Sequence, residues 1–125
     1  MLVVVIIAVL ASIALPAYSK YQNKSKVAAA IAESSALKTP FDILMNQGVD
    51  VTGINDLAGS GVTQNCNFTV AGVGSAGVGT IVCTITNGSS AVNGQSITWT
   101  RGSDAHWSCS STVAAELLPI ICSSS

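Results

Sequence analysis

Met1–Ser19 reads MLVVVIIAVLASIALPAYS, a run with no charged residue, and it feeds directly into Lys20–Ala30, KYQNKSKVAAA, which is polar, alanine-rich and helical in character. An apolar run this pure belongs in lipid or in the dry interior of an assembly, because a soluble monomer leaves no contiguous apolar surface of that size uncovered. The fifteen residues before Pro16 span about 23 Å as a helix, against a hydrocarbon core of roughly 30 Å, so the run is a marginal membrane span. No lysine or arginine precedes it and no small-residue cleavage pattern follows it, which argues against a cleaved secretory signal. Met1 is therefore expected not to be the natural start. Pro16 sets a further condition: in a helix its ring presses on the Ser12 carbonyl and its missing N–H frees another acceptor, a cost of about 3 kcal/mol unless neighbours compensate.

Downstream, Ala17 to about Gln47 keeps a helical pattern. Val27, Ile31, Ser34, Leu37, Phe41 and Leu44 recur at steps of three or four, while Lys24, Glu33, Lys38 and Asp42 fall largely elsewhere, so one face can clamp a sheet. Pro40 should kink the helix, and Gly48 is placed to end it.

The rest of the chain reads as an extracytoplasmic head. Removing the apolar segment and its helical extension leaves fewer than 80 residues, too few to build a sufficient core unaided. Cys66, Cys83, Cys109 and Cys122 all lie in that part, which suggests a disulfide framework in an oxidising compartment. The cysteines show no CxxC spacing and His106 is the single histidine, a pattern unsuited to zinc. With net charge −1 and 9% charged residues, bulk attraction to nucleic acid is not indicated. Lys20, Lys24 and Lys26 would hold the flank of the apolar run in the cytoplasm if read alone, but the cysteines favour the opposite side, and charges upstream of Met1 would enter the same balance.

Val49–Gln64 contains Gly53, Gly59 and Gly61 with little periodicity and reads as a loop from helix to sheet. After it, alternation by two takes over at Cys66/Phe68/Val70, Ile81/Cys83/Ile85, Ile97/Trp99 and Trp107/Cys109. Turn signals at Gly72–Gly77, Asn87-Gly88, Asn93-Gly94 and Arg101–Asp104 separate these runs, so four antiparallel strands are expected. A hairpin centred between Gly74 and Ser75 would set Cys66 directly opposite Cys83, leaving Cys109 to pair with Cys122 and tie the tail to the last strand. Four cysteines allow three connectivities, and the other two stay open at this level.

MLVVVIIAVLASIALPAYSKYQNKSKVAAA, with Ala-Leu-Pro-Ala-Tyr around Pro16 and a second tyrosine at Tyr21, resembles the N-terminal helix of type IV pilins, and Leu37-Lys38-Thr39-Pro40 is similar to the pilin pattern late in that helix. The resemblance covers about the first 48 residues. Trp107-Ser108-Cys109, a dozen intervening residues and Leu118-Pro119-Ile120-Ile121-Cys122 add a likeness to the C-terminal disulfide loop of type IVa pilins. Members usually begin with a methylated phenylalanine and Thr-Leu-Ile-Glu-Leu after leader cleavage, and this chain starts just past that point, so the family's N-terminal glutamate matches no residue here.

The resemblance implies an α+β, ladle-like pilin fold: a long, Pro-interrupted N-terminal helix on a four-stranded antiparallel sheet. Its parts would be a membrane and filament-core segment at 1–19, an amphipathic helix at 20–48, a connecting loop at 49–64, the sheet at 65–109, and the disulfide loop and tail at 109–125. It implies a major pilin held in the bacterial inner membrane as a precursor and then polymerised into an extracellular pilus. The filament core would be packed by Met1, Leu2, Val5, Ala8, Val9, Ala11, Ser12, Leu15 and Pro16. A stretch within Ala8–Leu15 would lose its helical form on assembly. The partners implied are other copies of the chain, the inner membrane, the pilus assembly machinery, and DNA or phage at the filament, with twitching motility and adhesion as the associated roles. An O-linked glycan on Ser125 is a further implication.

Catalysis, a cofactor and a small-molecule substrate are not indicated. Asp104, His106 and Ser108 are near in sequence, but a triad needs an oriented pocket and oxyanion donors. Gly72, Gly74, Gly77 and Gly79 lack the Lys-Ser/Thr of a phosphate loop and read as a turn. Asn23, Asn67 and Asn87 match the N-glycan acceptor pattern as chance would allow in a Ser/Thr-rich chain. The rival readings are a minor pilin or type II secretion pseudopilin, which would more often carry an acidic calcium loop, and a singly anchored periplasmic binding module.

Overall fold

The computed structural model describes residues 1–57 and 59–124, with the side chains of residues 13–17 outside that description. Helix α1 spans Leu2–Ala36 and α2 spans Lys38–Asn46. Five strands follow: β1 (Cys66–Val73), β2 (Val78–Ile85), β3 (Ser96–Arg101), β4 (Trp107–Ser111) and β5 (Cys122–Ser124), in the order β1-β2-β3-β4-β5. Short 3-10 turns occupy Ile54–Leu57 and Ala115–Leu117.

Val27, Ala30, Ile31 and Ser34 form the stripe of α1 that packs on the sheet, and all four are buried. Ser34 is fully covered because its hydroxyl has partners on both sides: it donates to the carbonyls of Ala30 and Ile31 (2.9 and 3.0 Å) and accepts from Trp99 Nε1 at 2.9 Å. A buried hydroxyl without such partners would be costly. The long helix does more than kink before Pro40. Pro40 offers no N–H to the Ala36 carbonyl, so α1 stops at Ala36 and α2 begins one residue on, with Pro40 in its first turn where no N–H is needed.

Helix α2 ends at Asn46 and is closed by Gly48, two residues on, as the sequence indicates. Gly48 has φ 72°, its N–H donates to Met45 O, and the Val49 N–H donates to Leu44 O, the paired bonds of a Schellman cap.

The glycines of the first hairpin have a role beyond turning. Phe41 from α2 is fully buried against the backbone of Gly72 and Gly79, and a Cβ on Gly79 would lie 2.3 Å from Phe41 Cζ and 2.6 Å from the Ala71 carbonyl. The turn is Gly74–Gly77, with Gly77 at φ 68° and the Val73 carbonyl accepting from both Ala76 and Gly77.

This turn corrects the expected register. Its centre lies one residue later, between Ser75 and Ala76, so Cys66 faces Ile85 and Cys83 faces Phe68. Cys66 and Cys83 remain on the same face as diagonal neighbours with Cα atoms 5.1 Å apart, and their sulfurs are bonded.

The sheet also has one strand more than expected. Cys109 is bonded to Cys122 and stands opposite it in the ladder, so the tail is delivered alongside β4 and runs parallel to it as β5. Its sequence, Cys-Ser-Ser, has little strand preference of its own, and tertiary placement overrides that.

On the opposite edge, Val51 and Val62 bridge to Gly72 and Asn67 and cover β1. Thr52–Leu57 is ordered by Asp56, whose carboxylate accepts from the N–H groups of Thr52 and Gly53 and from the Thr52 hydroxyl. These bonds to its charged form, led by the Thr52 backbone N–H, hold the Asp56 carboxyl below its ordinary range.

Gly79→Ala is expected to destabilise the head by about 1–3 kcal/mol through overpacking against Phe41, measured as a lowered denaturation midpoint by tryptophan fluorescence. Gly94→Ala, which meets no atom within 4 Å but sits at φ 81°, should cost about 1 kcal/mol from backbone strain alone.

Candidate functional site

The first part of α1 projects from the head with nothing packed on it. Leu2, Ile6 and Leu10 are 75%, 50% and 62% exposed, and Val3, Val4, Val5, Ile7 and Val9 are similarly bare. A helix that is apolar on all sides is a buried helix, so this exposure marks a surface awaiting cover. Its one polar side chain among the described residues, Ser12, satisfies its own hydroxyl by donating to Val9 O at 2.8 Å, which lets it enter a dry interface. Among the described residues no helix is long and apolar enough to cross a membrane.

Helical spacing sorts the expected core residues. Met1, Val5, Ala8 and Ser12 follow one another at three- and four-residue steps along one stripe with Val9 beside it, and Leu2 and Ala11 flank it on opposite sides. The side chains of Leu15 and Pro16 lie outside the described residues. Ala8 and Ser12, one turn apart, put two small side chains on that stripe, the pattern that lets helix backbones approach closely in an apolar medium.

Past the stem, α1 is tied to the head by polar contacts that flank the apolar stripe. Glu33 accepts from Thr63 Oγ1 (2.8 Å) and Asn65 Nδ2 (3.2 Å), and Lys26 Nζ donates to Gln64 O (3.1 Å) and Asn65 Oδ1 (2.7 Å). Asn23 accepts from Ser89 Oγ at 2.6 Å.

At the other end of the head, Asp42 Oδ1 receives both Arg101 Nε at 2.8 Å and Trp107 Nε1 at 3.0 Å. Arg101 is buried and also donates to Gly77 O, while Trp107 meets Phe41 edge to face with ring centroids 5.2 Å apart. Lys38 Nζ sits 3.9 Å from the centre of the Trp99 ring. Sequence reasoning missed this cluster. Arg101 read as a turn residue and Asp42 as one lying off the apolar helix face, because the signal is a contact across 59 residues.

The C-terminal loop closed by Cys109–Cys122 turns Leu117 inward and presents Ile120, fully exposed, and Ile121, 58% exposed, to the outside. Ser125 lies outside the described residues. Asp104 uses its carboxylate to accept the His106 backbone N–H at 3.1 Å, so the two do not form an acid–imidazole pair, and His106 is exposed. Among the described residues no three metal-ligating side chains converge.

A family model for the pilin (bacterial filament) family matches residues 23–123. The chain is 32% identical to a type IV major fimbrial protein FimA of Dichelobacter nodosus over 141 aligned positions, spanning 98% of this chain and 90% of that protein. It is 33% identical to a fimbrial protein of Pseudomonas aeruginosa, spanning 90% and 80%, and 30% identical to fimbrial protein Q of Moraxella bovis, spanning 87% and 79%. Among solved structures, a Cs1 pilin chimera superposes with a TM-score of 0.73 at 19% identity, covering 83% of this chain and 98% of that one, which is a likeness of fold.

Two outcomes are expected from these contacts. Asp42→Ala leaves the buried Arg101 without its anion and should lower head stability by about 1–3 kcal/mol, read by chemical denaturation, while Asp42→Asn recovers part of that loss. Replacing Cys109 and Cys122 together by serine opens a loop of 13 residues' separation and should cost about 3 kcal/mol in the chain-entropy account.

Proposed function

The chain belongs to the pilin family of bacterial filament proteins, and we propose that it is the major structural subunit of a type IV pilus, assembled through the exposed stem of α1. The observation that carries this reading is the apolar stem, uncovered on every side, continuing without a break into a head closed by two disulfides.

Packing stems from many subunits together would replace lipid contacts by protein contacts, with Ala8, Ala11 and Ser12 allowing close approach and Met1, Leu2, Val5, Val9, Leu15 and Pro16 filling the core. Repeating one such contact with a rotation that does not close makes a helical fibre. Before assembly the same stem would hold the precursor in the inner membrane, and afterwards the heads would form the outer layer of an extracellular filament. Pro16 is where the helix would give way, with loss of helical bonds within Ala8–Leu15 as the stems pack. The chain acts as a building element and is assigned no reaction. Assembly machinery, DNA and phage are partners proposed from family membership, with motility and adhesion as roles of the fibre, and Ser125 is a candidate for O-linked glycan.

The direct test is electron microscopy of filaments sheared from cells expressing the chain, with the subunit identified by mass. Ala8→Trp or Ala11→Trp is expected to abolish filaments, because bulk is tolerated facing lipid and not in a packed core, while leaving the head's denaturation midpoint unchanged. Normal filaments from both variants would sink the proposal. A filament map with unbroken helical hydrogen bonds from Val5 through Tyr18 would remove the local melting at Pro16.

A further inference from the structure

The charges of the chain are unevenly placed. Residues 1–32 contain Lys20, Lys24 and Lys26 and no acid, whereas all six acidic residues lie at Glu33 or beyond. Among the described residues none of these three lysines pairs with a carboxylate. Beside this basic part of α1 lies an open cleft of about 580 Å³, walled by Tyr18, Tyr21, Ser25 and Lys26 on the helix and by Asn87 and Ser89 on the β2–β3 connection. Hydrogen bonds hold its walls in place. Ser89 Oγ donates to Asn23 Oδ1 at 2.6 Å, and Lys26 Nζ and Asn87 Nδ2 both donate to the Gln64 carbonyl, at 3.1 and 3.0 Å. Donors are left over inside. Lys26 Nζ uses two of its three, on Gln64 and Asn65, and the Asn23 amide nitrogen and the Tyr18 and Tyr21 hydroxyls bond to nothing among the described residues. No residue lining the cleft is acidic.

We propose that this cleft binds the headgroup of an anionic phospholipid while the stem is held in a membrane. The inference rests on the membrane-held precursor of the preceding subsection, and three observations select the occupant. Depth is the first. With the apolar turns before Tyr18 in hydrocarbon, the helix from Tyr18 to Gln22 rises about 6 Å, which matches a headgroup layer of about 5–7 Å on each side of a bilayer. Tyrosine is a side chain that settles at that level. Charge is the second: a lipid phosphate is an anion that lysine meets as a point charge, and Lys20 and Lys24, outside the cleft, add to the same field. The third is the one-sided character of the lining. Phosphate oxygens only accept, and the Lys26 ammonium and the Asn23 amide supply donors. A zwitterionic headgroup would bring a second cation beside Lys26 and find no carboxylate there to receive it.

The test reconstitutes the full chain in nanodiscs of equal parts phosphatidylglycerol and phosphatidylcholine, releases it into mild detergent, and weighs it by native mass spectrometry. One phosphatidylglycerol retained per chain, in clear excess over phosphatidylcholine, is the expected result. Two variants that change net charge equally separate the cleft from the general charge of the lysines. Ser25→Glu puts a carboxylate inside the cleft, at an exposed helix position away from the core, and should lower retention more than about tenfold because like charges meet at close range. Lys24→Gln, outside the cleft, should lower it no more than about fivefold, the worth of one basic side chain near an anionic surface. Ser25→Trp, which fills the cleft without adding charge, should act as Ser25→Glu does and guards against a folding defect caused by the carboxylate. Equal retention of the two lipids, equal losses from Ser25→Glu and Lys24→Gln, wild-type retention by Ser25→Trp, or a second copy of the chain held in place of lipid would each overturn the inference. A chain that stays outside the nanodiscs would instead overturn the membrane-held reading, and this inference with it.

Discussion

Burial of the Val27–Ala30–Ile31–Ser34 stripe of α1 against the sheet is the contact on which the remaining architecture depends, because α1 must serve two surroundings at once. Its first turns are apolar on every side and find no cover within the chain; its later turns are apolar on one side and find it in the head. Without that stripe the stem would be an isolated greasy helix and the small sheet would lose one wall of its core. The Ser34 hydroxyl shows how closely the two parts fit. It is tolerated at full burial because Trp99, from the middle of the sheet, supplies a donor in the right place.

The end of the helical region is held by a different chemistry. Pro40 divides the helix, α2 swings Phe41 over a glycine-lined patch of β1 and β2, and Asp42 gathers Arg101 and Trp107 from the ends of β3 and β4. Removing side chains from the hairpin and placing an aromatic there are two halves of one packing arrangement. The disulfides act on the same body. Cys66–Cys83 crosslinks the first two strands, and Cys109–Cys122 brings the tail in as a fifth strand.

Such a molecule divides its surface by chemistry. The stem is apolar, the flanks of α1 are polar and hydrogen-bonded to the loops, and the outer sheet face is neutral and hydroxyl-bearing. The first of these is what a fibre core requires.

Much of this was legible in the residues. The apolar run, the helical period through Leu44, the glycine cap at Gly48 and the alternation at Ile81, Cys83 and Ile85 are local signals, and local signals survive in a sequence because they reflect the periods of helix and strand. The uncovered stem was legible for the same reason, since composition alone says that Leu2–Leu10 cannot face water. Tertiary structure decided the rest. The hairpin register shifted by one position at each end because Gly77 takes the left-handed turn position, a choice made among several glycines. β5 exists because a crosslink places it, against the weak preference of its serines. Arg101 and Asp42 meet because two distant elements are packed together, and no period in a sequence records the distance between residues that only folding brings into contact.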